Sequence, residues 1–385
     1  MRKLNVVVVG GGPAGLYFAY LLKKSRQEAT VRVLERNAPD ATFGFGVVLA
    51  DRGLERYEVI DAESAQALRA KMFVNQHQVI RHNGESILID RVGYGGAIGR
   101  LDLLQVFHML CRQAGVELSF ESRLEQDALL READLVVGAD GVNSTIRSLH
   151  PARFETSIGC LTNHFAWYGT HARFERAALS FKRFGGGHFV GHYYPYSDSM
   201  GTFVAECDDG TWKRLGFEAM EDAARQRLME EIFTDELGGH SLIYNKSVWR
   251  QFPVIVSNRW FADNRVLIGD ALHSAHFSIG SGTRIAMDDS VALWEALLET
   301  DDIGAALGNF ERARGPAKAK LLAAARASYM WYEEFPKKLD GLAPMEFAYD
   351  FMIRTGRMDD TRLRREHPAF MAAYEREPRR TGATS

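Results

Sequence analysis

Asn5-Val-Val-Val-Val9 runs straight into Gly10-Gly-Gly-Pro-Ala-Gly15 and then into the apolar stretch Leu16 to Leu22. A short buried strand, a glycine turn and a helix N-terminus are predicted in that order. Gly10 permits the tight turn, and Gly12 lets backbone approach a pyrophosphate with no Cβ in the way. Gly15, next to Ala14, lets helix and strand pack closely. The helix then directs free N–H groups and its positive dipole end at the phosphates. A second β-rich run, Thr30 to Leu34, delivers Glu35, twenty residues past Gly15, followed by Arg36. Glu35 is the acid expected to accept hydrogen bonds from a ribose diol. Taken alone, a G-x-G-x-x-G spacing is weak evidence. Strand, helix, second strand and acid in register point to a dinucleotide site rather than to a glycine turn that only packs.

The chain has 385 residues, of which 46% are hydrophobic, enough for a large core shared by two domains. A net charge of −3 leaves no basic footprint for nucleic acid, and the short Arg clusters at Arg364 and Arg379 read as solvated ends. Cys111, Cys160 and Cys207 are far apart and form no C-x-x-C pair, which predicts neither a disulfide framework nor a zinc site. No signal-peptide pattern precedes the first strand and no apolar run approaches a membrane span, so a cytoplasmic protein without membrane or nucleic-acid partners is expected.

Further along, the glycine-punctuated Thr42-Phe-Gly-Phe-Gly-Val-Val-Leu49 reads as a loop, either a close backbone approach to a ligand or a plain bend. Residues 55–72 read as helix, with Tyr57, Ile60, Leu68 and Met72 inward, and residues 74–88 as strands. Gly93-Tyr-Gly-Gly-Ala-Ile-Gly99 has the wrong spacing for a second fingerprint and reads as a loop. Arg100 opens a helix to about Gln113 that stops at Gly115. An Arg at a helix start opposes the dipole, which points to a bound phosphate or a carboxylate partner for Arg100. Asp134 to Arg147 is an apolar strand ending in Asp140-Gly141, with Ser144 and Arg147 beyond.

Residues 154–259 alternate aromatic and polar positions and predict an antiparallel sheet, with a hairpin at Gly185 to Gly187 and one obvious helix from Met220 to Phe233. Its aromatic and histidine residues, His188 to Tyr196 among them, make it the candidate substrate domain. A nucleotide-type signal returns at Asn264 to His273, where a strand delivers Gly269-Asp270, and Gly280-Ser-Gly282 opens a long helix. Residues 305–332 read as two helices. The tail from Glu333 reads as polar and helical in patches, with a disordered end from Arg379. The predicted architecture is α/β: a Rossmann-like domain (1–73, 98–153, 260–325) interleaved with a mostly antiparallel β-sheet substrate domain (74–97, 154–259) and a C-terminal helical segment (326–385).

Three separated motifs, G-x-G-x-x-G with Glu35, Gly138-Ala-Asp-Gly-x-x-Ser-x-x-Arg147 and Gly269-Asp-Ala-x-His273, resemble the single-component FAD-dependent aromatic hydroxylases of the p-hydroxybenzoate hydroxylase fold. The resemblance implies noncovalent FAD, with Glu35 on the adenosine ribose, Arg100 near the pyrophosphate, Asp270 on the ribityl-pyrophosphate part and the Gly280–Gly282 turn on the isoalloxazine. It implies that Asp140 to Arg147 shape the FAD fold and the approach of the reductant. It also implies NADH or NADPH as co-substrate, reacting from a surface groove, and O₂. Phe277 and Arg284 depart from the proline and asparagine that many members carry. With residues 276–283, 42–48 and 165–170, these departures resemble a narrower branch. It contains the salicylyl-CoA 5-hydroxylases, the 2-aminobenzoyl-CoA monooxygenase/reductase and the tryptophan-skeleton hydroxylase of violacein biosynthesis. The tail, from Trp331 to Glu334 and Phe347 to Tyr349, is similar to the acyl-CoA members, whereas Tyr196 to Phe203 is closer to the violacein one.

The implied activity is hydroxylation of an activated aromatic ring, with an ortho-hydroxy or ortho-amino benzoyl-CoA thioester as expected substrate and an indole-derived intermediate as the alternative. The protein must hold the ring, stabilise the reduced flavin and exclude water. Backbone N–H groups at Gly280 and Gly282 are the candidates for the flavin. His276 is the candidate to hydrogen-bond a phenol or amine, or else it orders the loop. His273 and His276 lack the carboxylate and histidine partners of a metal site, so no metal is expected. Lys182, Arg183 and Lys246 are positional candidates for a carrier's phosphates. A redox-inactive FAD-binding regulator is a further alternative, and no W-x-W-x-I-P halogenase motif occurs. Monomer and homodimer both remain open.

Overall fold

Valine-rich segments without polar alternation can only be buried on both faces, and this dictates the first layer. The computed structural model describes residues 3–91, 95–123, 128–245 and 248–377. In it Asn5–Val9 is a central strand, parallel to Thr30–Leu34 on one side and Leu135–Gly138 on the other. Glu117–Ser119 and Arg265–Leu267 extend the parallel sheet outward, and Phe261–Ala262 closes it antiparallel. Helices Pro13–Ser25, Arg100–Ala114 and Gly282–Glu299 pack on it, burying Leu16, Phe18, Phe107 and Leu293. Gly115 ends the second of these in the left-handed conformation, φ 88°, which a glycine adopts without a Cβ penalty.

The second layer is antiparallel, as its alternation requires. Thr156–Thr170, Gly201–Cys207, Gly187–Pro195 and Ala177–Phe184 are neighbours in that order. Gln78–His82 then joins parallel to Ala177–Phe181, and Glu85–Ile89 follows. One face, with Ala166, Tyr168, Phe189, Phe203 and Cys207, packs against Phe217, Met229 and Phe233 of the helical stretch 209–237. Here the structure adds Asp209–Arg214 and Thr234–Leu237 to the single helix read from sequence, itself Asp222–Ile232.

Five readings change. Gly46–Ala50 and Gly95–Gly99 are strands rather than loops, paired antiparallel in a small sheet with Phe73–Asn75. Two of their glycines sit at close approaches: a Cβ on Gly46 would lie 2.6 Å from the Tyr196 ring, and one on Gly96 would lie 3.0 Å from the backbone oxygen of Phe73. Residues 55–72 divide into Asp51–Ile60 and Ala62–Arg69, because Asp61 caps the second helix by accepting from Ser64 N. Residues 305–332 lie in one helix, Ile303–Glu333, that runs through Pro316. A mid-helix proline costs about 3 kcal/mol. On either side of it Arg314 and Lys318 are held at 2.8 Å and 2.5 Å by the buried Asp289 carboxylate, which offsets that cost. The tail is not merely polar: Phe347, Phe351, Leu363, Phe370 and Met371 pack with Trp331 and Tyr332 against Ile80, Ile87 and Phe181 of the second sheet. Residues 92–94, 246–247 and 378–385 lie outside the described residues, and with them Lys246 and the expected disordered end.

Candidate active site

A cavity of about 1350 Å³ lies where the two layers meet and is lined from both, and from the C-terminal helices. Ligand pockets run roughly 300–1,000 Å³, so this one accommodates more than a single small molecule. Gly10, Gly12, Ala14, Glu35, Arg36, Arg100, Asp140, Asp270, Gly280 and Gly282 all line it. Gly15 lies behind them, where a Cβ would sit 2.1 Å from Gly10 O.

Two helix N-termini open on this space without side-chain caps, Pro13–Ser25 after Gly12 and Gly282–Glu299 after Ser281, and neither has an acid in its first turn. Each presents unsatisfied N–H groups to whatever fills the cavity. A Cβ on Gly12 would meet nothing within 4 Å, so the glycine leaves room for a ligand rather than for protein. Glu35 accepts from Gly11 N at 2.7 Å and from Asn37 N at 2.8 Å, which fixes its carboxylate at the strand end. Arg100 faces Asp270. Burial pushes the Asp270 carboxyl up to about 6 against the pull of Arg100 and Lys318, and burial lowers Arg100. Asp140 accepts from Thr145 N at 2.6 Å while its Oδ1 is buried without a partner, and burial raises its pKa. Arg147 is not a lining residue: it ties Ala271 O, at 2.7 Å, to Val142 O.

Two uncapped helix N-termini and a carboxylate facing a guanidinium, all on one cavity, are what an extended flavin dinucleotide needs. An orphaned carboxylate oxygen beside them adds a further polar anchor. The fold and this donor set define an FAD-dependent oxidoreductase. The family described as FAD binding domain matches residues 105–301, and an NAD(P)-binding Rossmann-like domain matches residues 8–39. The chain belongs to the FAD-dependent aromatic monooxygenases of the p-hydroxybenzoate hydroxylase type. It is 37% identical over 366 residues to salicyloyl-CoA 5-hydroxylase of a Streptomyces species, covering 91% of this chain and 70% of that one. It is 33% identical to protodeoxyviolaceinate monooxygenase of Chromobacterium violaceum, covering 91% and 94%. It is 32% identical to a 3-hydroxy-4-methyl-anthranilyl-aryl-carrier-protein 5-monooxygenase of Streptosporangium sibiricum, covering 92% and 94%. Among solved structures, 2-methyl-3-hydroxypyridine-5-carboxylic acid oxygenase matches with TM-score 0.69 at 17% identity, covering 94% of this chain and 96% of that one. PqsL of P. aeruginosa, in complex with 2-aminobenzoylacetate, matches with TM-score 0.67 at 20% identity, covering 88% and 99%. These two share the fold.

FAD, reduced by NAD(P)H, supplies the oxygen chemistry, and the chain supplies the ring's surroundings. Their geometry follows from pleat parity. In the register Phe165↔Glu206 and His192↔Val204, residues Asn163, Phe165, Trp167, His192, Tyr194, Val204 and Glu206 share one sheet face. That face is the cavity wall. Phe165, Trp167, His192, Tyr194 and Val204 line it, with Phe277, Tyr332, Phe351, Met352 and Arg354 completing the enclosure.

His276 is not among the lining side chains. It is 4% exposed, packs against Phe252, Phe277 and Tyr329, and accepts from Ser278 N through Nδ1, and burial pushes its pKa down to about 4. That placement matches the loop-ordering role. His273 is buried against Trp260 and pushed down to about 3, again by burial. Among the described residues no three His, Cys, Asp or Glu side chains group as metal ligands would. His192, Glu206, Tyr332 and Arg354 were not singled out from sequence. The aromatic run His188 to Tyr196 signalled a pocket, but only the strand register tells which of its side chains face it.

Glu35→Ala and Asp270→Ala are each expected to raise the FAD dissociation constant about 10- to 150-fold, the loss of charge-assisted hydrogen bonds worth roughly 1.5–3 kcal/mol. Fluorescence titration of apoprotein with FAD measures this, and unchanged affinity in both variants would contradict the placement.

Proposed function

We propose that the ring hydroxylated here is an ortho-hydroxy or ortho-amino benzoyl group presented as a CoA thioester. The observation that carries the reading is the cation set at the cavity wall. Arg284, Arg357 and Arg362 line it, and the Arg357 guanidinium has no carboxylate partner among the described residues. Burial first, then the like charges of Arg284 and Arg362, push its pKa below the ordinary value. Such a group favours an anion, and guanidinium with phosphate is a strong pairing. By contrast Lys182, engaged by Glu236 at 2.7 Å, and Arg183, beside Asp340 at 3.4 Å, do not line the cavity. Two of the three curated relatives named above act, by name, on an aryl group borne by a carrier, in support of the same reading. The three free cysteines and the use of NAD(P)H support a cytoplasmic setting. Among the described residues no helix is long and apolar enough to cross a membrane.

The test is transient reduction of bound FAD by NADH with salicylate, salicyloyl-CoA and a tryptophan-derived indole at equal occupancy. Salicyloyl-CoA is expected to accelerate reduction at least about tenfold over salicylate, and Arg357→Gln to weaken binding of the thioester about tenfold but not of the free acid. Stimulation and product formation with the indole alone would overturn the thioester assignment and favour the pigment-pathway reading.

A further inference from the structure

A buried carboxylate that faces a ligand cavity through a histidine is costly unless both its oxygens are engaged. Glu206 is 1% exposed. Its Oε1 accepts from Asn163 Nδ2 at 2.8 Å, and its Oε2 lies 3.0 Å from His192 Nε2. Asn163 is itself anchored, donating to Tyr332 O at 2.9 Å. The imidazole is held flat by the Tyr332 ring, 5.2 Å away at 26°, and edge-on by Phe277, 5.3 Å away at 81°. Every degree of freedom of the His192 ring is thus set by a neighbour. Against a carboxylate oxygen Nε2 carries the proton, so Nδ1 keeps its lone pair. Among the described residues Nδ1 has no hydrogen-bond partner, and His192 lines the cavity beside Phe277, three residues before the Gly280 turn.

We propose that His192 Nδ1 is the proton acceptor for the hydroxyl of the ring, and the hydrogen-bond acceptor for the N–H where the ring carries an amino group instead, with Glu206 and Asn163 as its positioning residues. The O–H bond of the ring hydroxyl breaks, its proton forms an N–H bond at His192 Nδ1, and the electron pair stays on oxygen, where it enriches the ring. The imidazolium so formed already donates through Nε2 to Glu206, whose carboxylate balances its charge. Two other cations line this wall, Arg354 and Arg250, the latter over the Phe165 ring; both stabilise the phenolate and oppose the imidazolium, whose charge Glu206 offsets. Arg354 lines the cavity with its guanidinium stacked 3.6 Å over Phe351 and bonded to Ser278 O, Ser328 Oγ and Phe351 O, so no carboxylate neutralises it among the described residues. Burial keeps neighbouring His276 neutral near pH 7 and raises the Tyr332 phenol, so neither competes for the proton.

The assignment holds for any ring bearing such a group, whatever carries it. The test is a pH titration of the ultraviolet difference spectrum of FAD-loaded protein with salicyloyl-CoA, salicylate and 4-nitrophenol, using 2-methoxybenzoyl-CoA as a baseline that cannot ionise. In the parent protein at least one bound phenol is expected as phenolate at least one pH unit below its solution midpoint. In His192→Asn, which keeps a polar atom near Nδ1 but takes no proton, that midpoint should return to the solution value, with turnover down about 10²-fold and FAD affinity unchanged. Glu206→Gln should move it part of the way. Phenols that bind the parent un-ionised, that fail to bind at all, or that ionise equally in His192→Asn overturn the proposal, the first two without any variant. Ionised 4-nitrophenol with no binding of salicyloyl-CoA sinks the thioester reading and leaves His192 in place.

Discussion

Gly15→Ala is expected to destabilise the apoprotein by about 3 kcal/mol or more, whereas Gly12→Ala, three residues away, is expected to leave its melting temperature unchanged. A Cβ on Gly15 would sit 2.1 Å from Gly10 O and 3.0 Å from Val8, and the first of these is backbone that cannot rotate away. The fingerprint helix would have to lift off the sheet, exposing Leu16 and Phe18, which are now fully buried. Gly12 has no protein atom within 4 Å of its Cβ position, so alanine there collides only with a bound pyrophosphate. Its FAD dissociation constant should rise at least about 100-fold, the loss of close backbone approach to the phosphates. Differential scanning fluorimetry without flavin and FAD titration separate the two. A Gly12→Ala protein that retains FAD like the parent would remove the pyrophosphate from this turn.

Asp289→Ala should cost about 3–5 kcal/mol, the penalty for stranding buried charge. Asp289 is fully buried and accepts from Arg314 Nε at 2.8 Å, Lys318 Nζ at 2.5 Å and Gly269 N at 3.0 Å. Arg314 and Lys318 are themselves 5% and 1% exposed, so its removal strands the Lys318 ammonium and the amide that precedes Asp270, and leaves Arg314 only Asp288 at 3.8 Å and Ile285 O. Because that amide sets the Asp270 backbone, flavin affinity should fall with stability. Asp289→Asn keeps an acceptor for Gly269 N and should recover part of the flavin affinity but little of the stability. Urea unfolding measures the first quantity and flavin titration the second. Loss of stability below about 1 kcal/mol in Asp289→Ala would show that the two cations find other partners.

How much of this could be read beforehand differs along the chain for physical reasons. The flavin end is specified by short separate motifs, each legible by itself: a glycine turn at a helix start, an acid at a strand end, an Arg at a helix start and an Asp after each of two later strands. Gly10, Glu35, Arg100, Asp140 and Asp270 all line the cavity. The ring end is assembled by long-range pairing. His192 meets Glu206 across a hairpin and Tyr332 from a helix 140 residues later, and no local pattern encodes either meeting. The Gly95–Gly99 strand was hidden because glycine has low strand propensity, and here pairing with Gly46–Ala50 and Phe73–Asn75 on its two sides overrides it. Residues 305–332 read as two helices, and the single helix that runs through Pro316 is held on both sides of the proline by the buried Asp289, a partner far away in the local pattern.

The sheet that walls the ring pocket is also the roof of a second hydrophobic core. Every residue of Gly201–Cys207 is buried, Val204 and Glu206 toward the pocket, Phe203, Ala205 and Cys207 toward the helices behind. One residue inserted or deleted in this strand or in Gly187–Pro195 would exchange the two sets, turning phenylalanines into the pocket and a carboxylate into oil. The lengths of these strands are therefore frozen, and their substrate preference can drift only by replacement in place. The helices after Glu333 obey no such parity. They bring Phe351, Met352, Arg354 and Arg357 to the cavity from outside the sheet, where turns can be lengthened without inverting anything. Change in what the enzyme accepts has its free path at the end of the chain, and its fixed point in the strands.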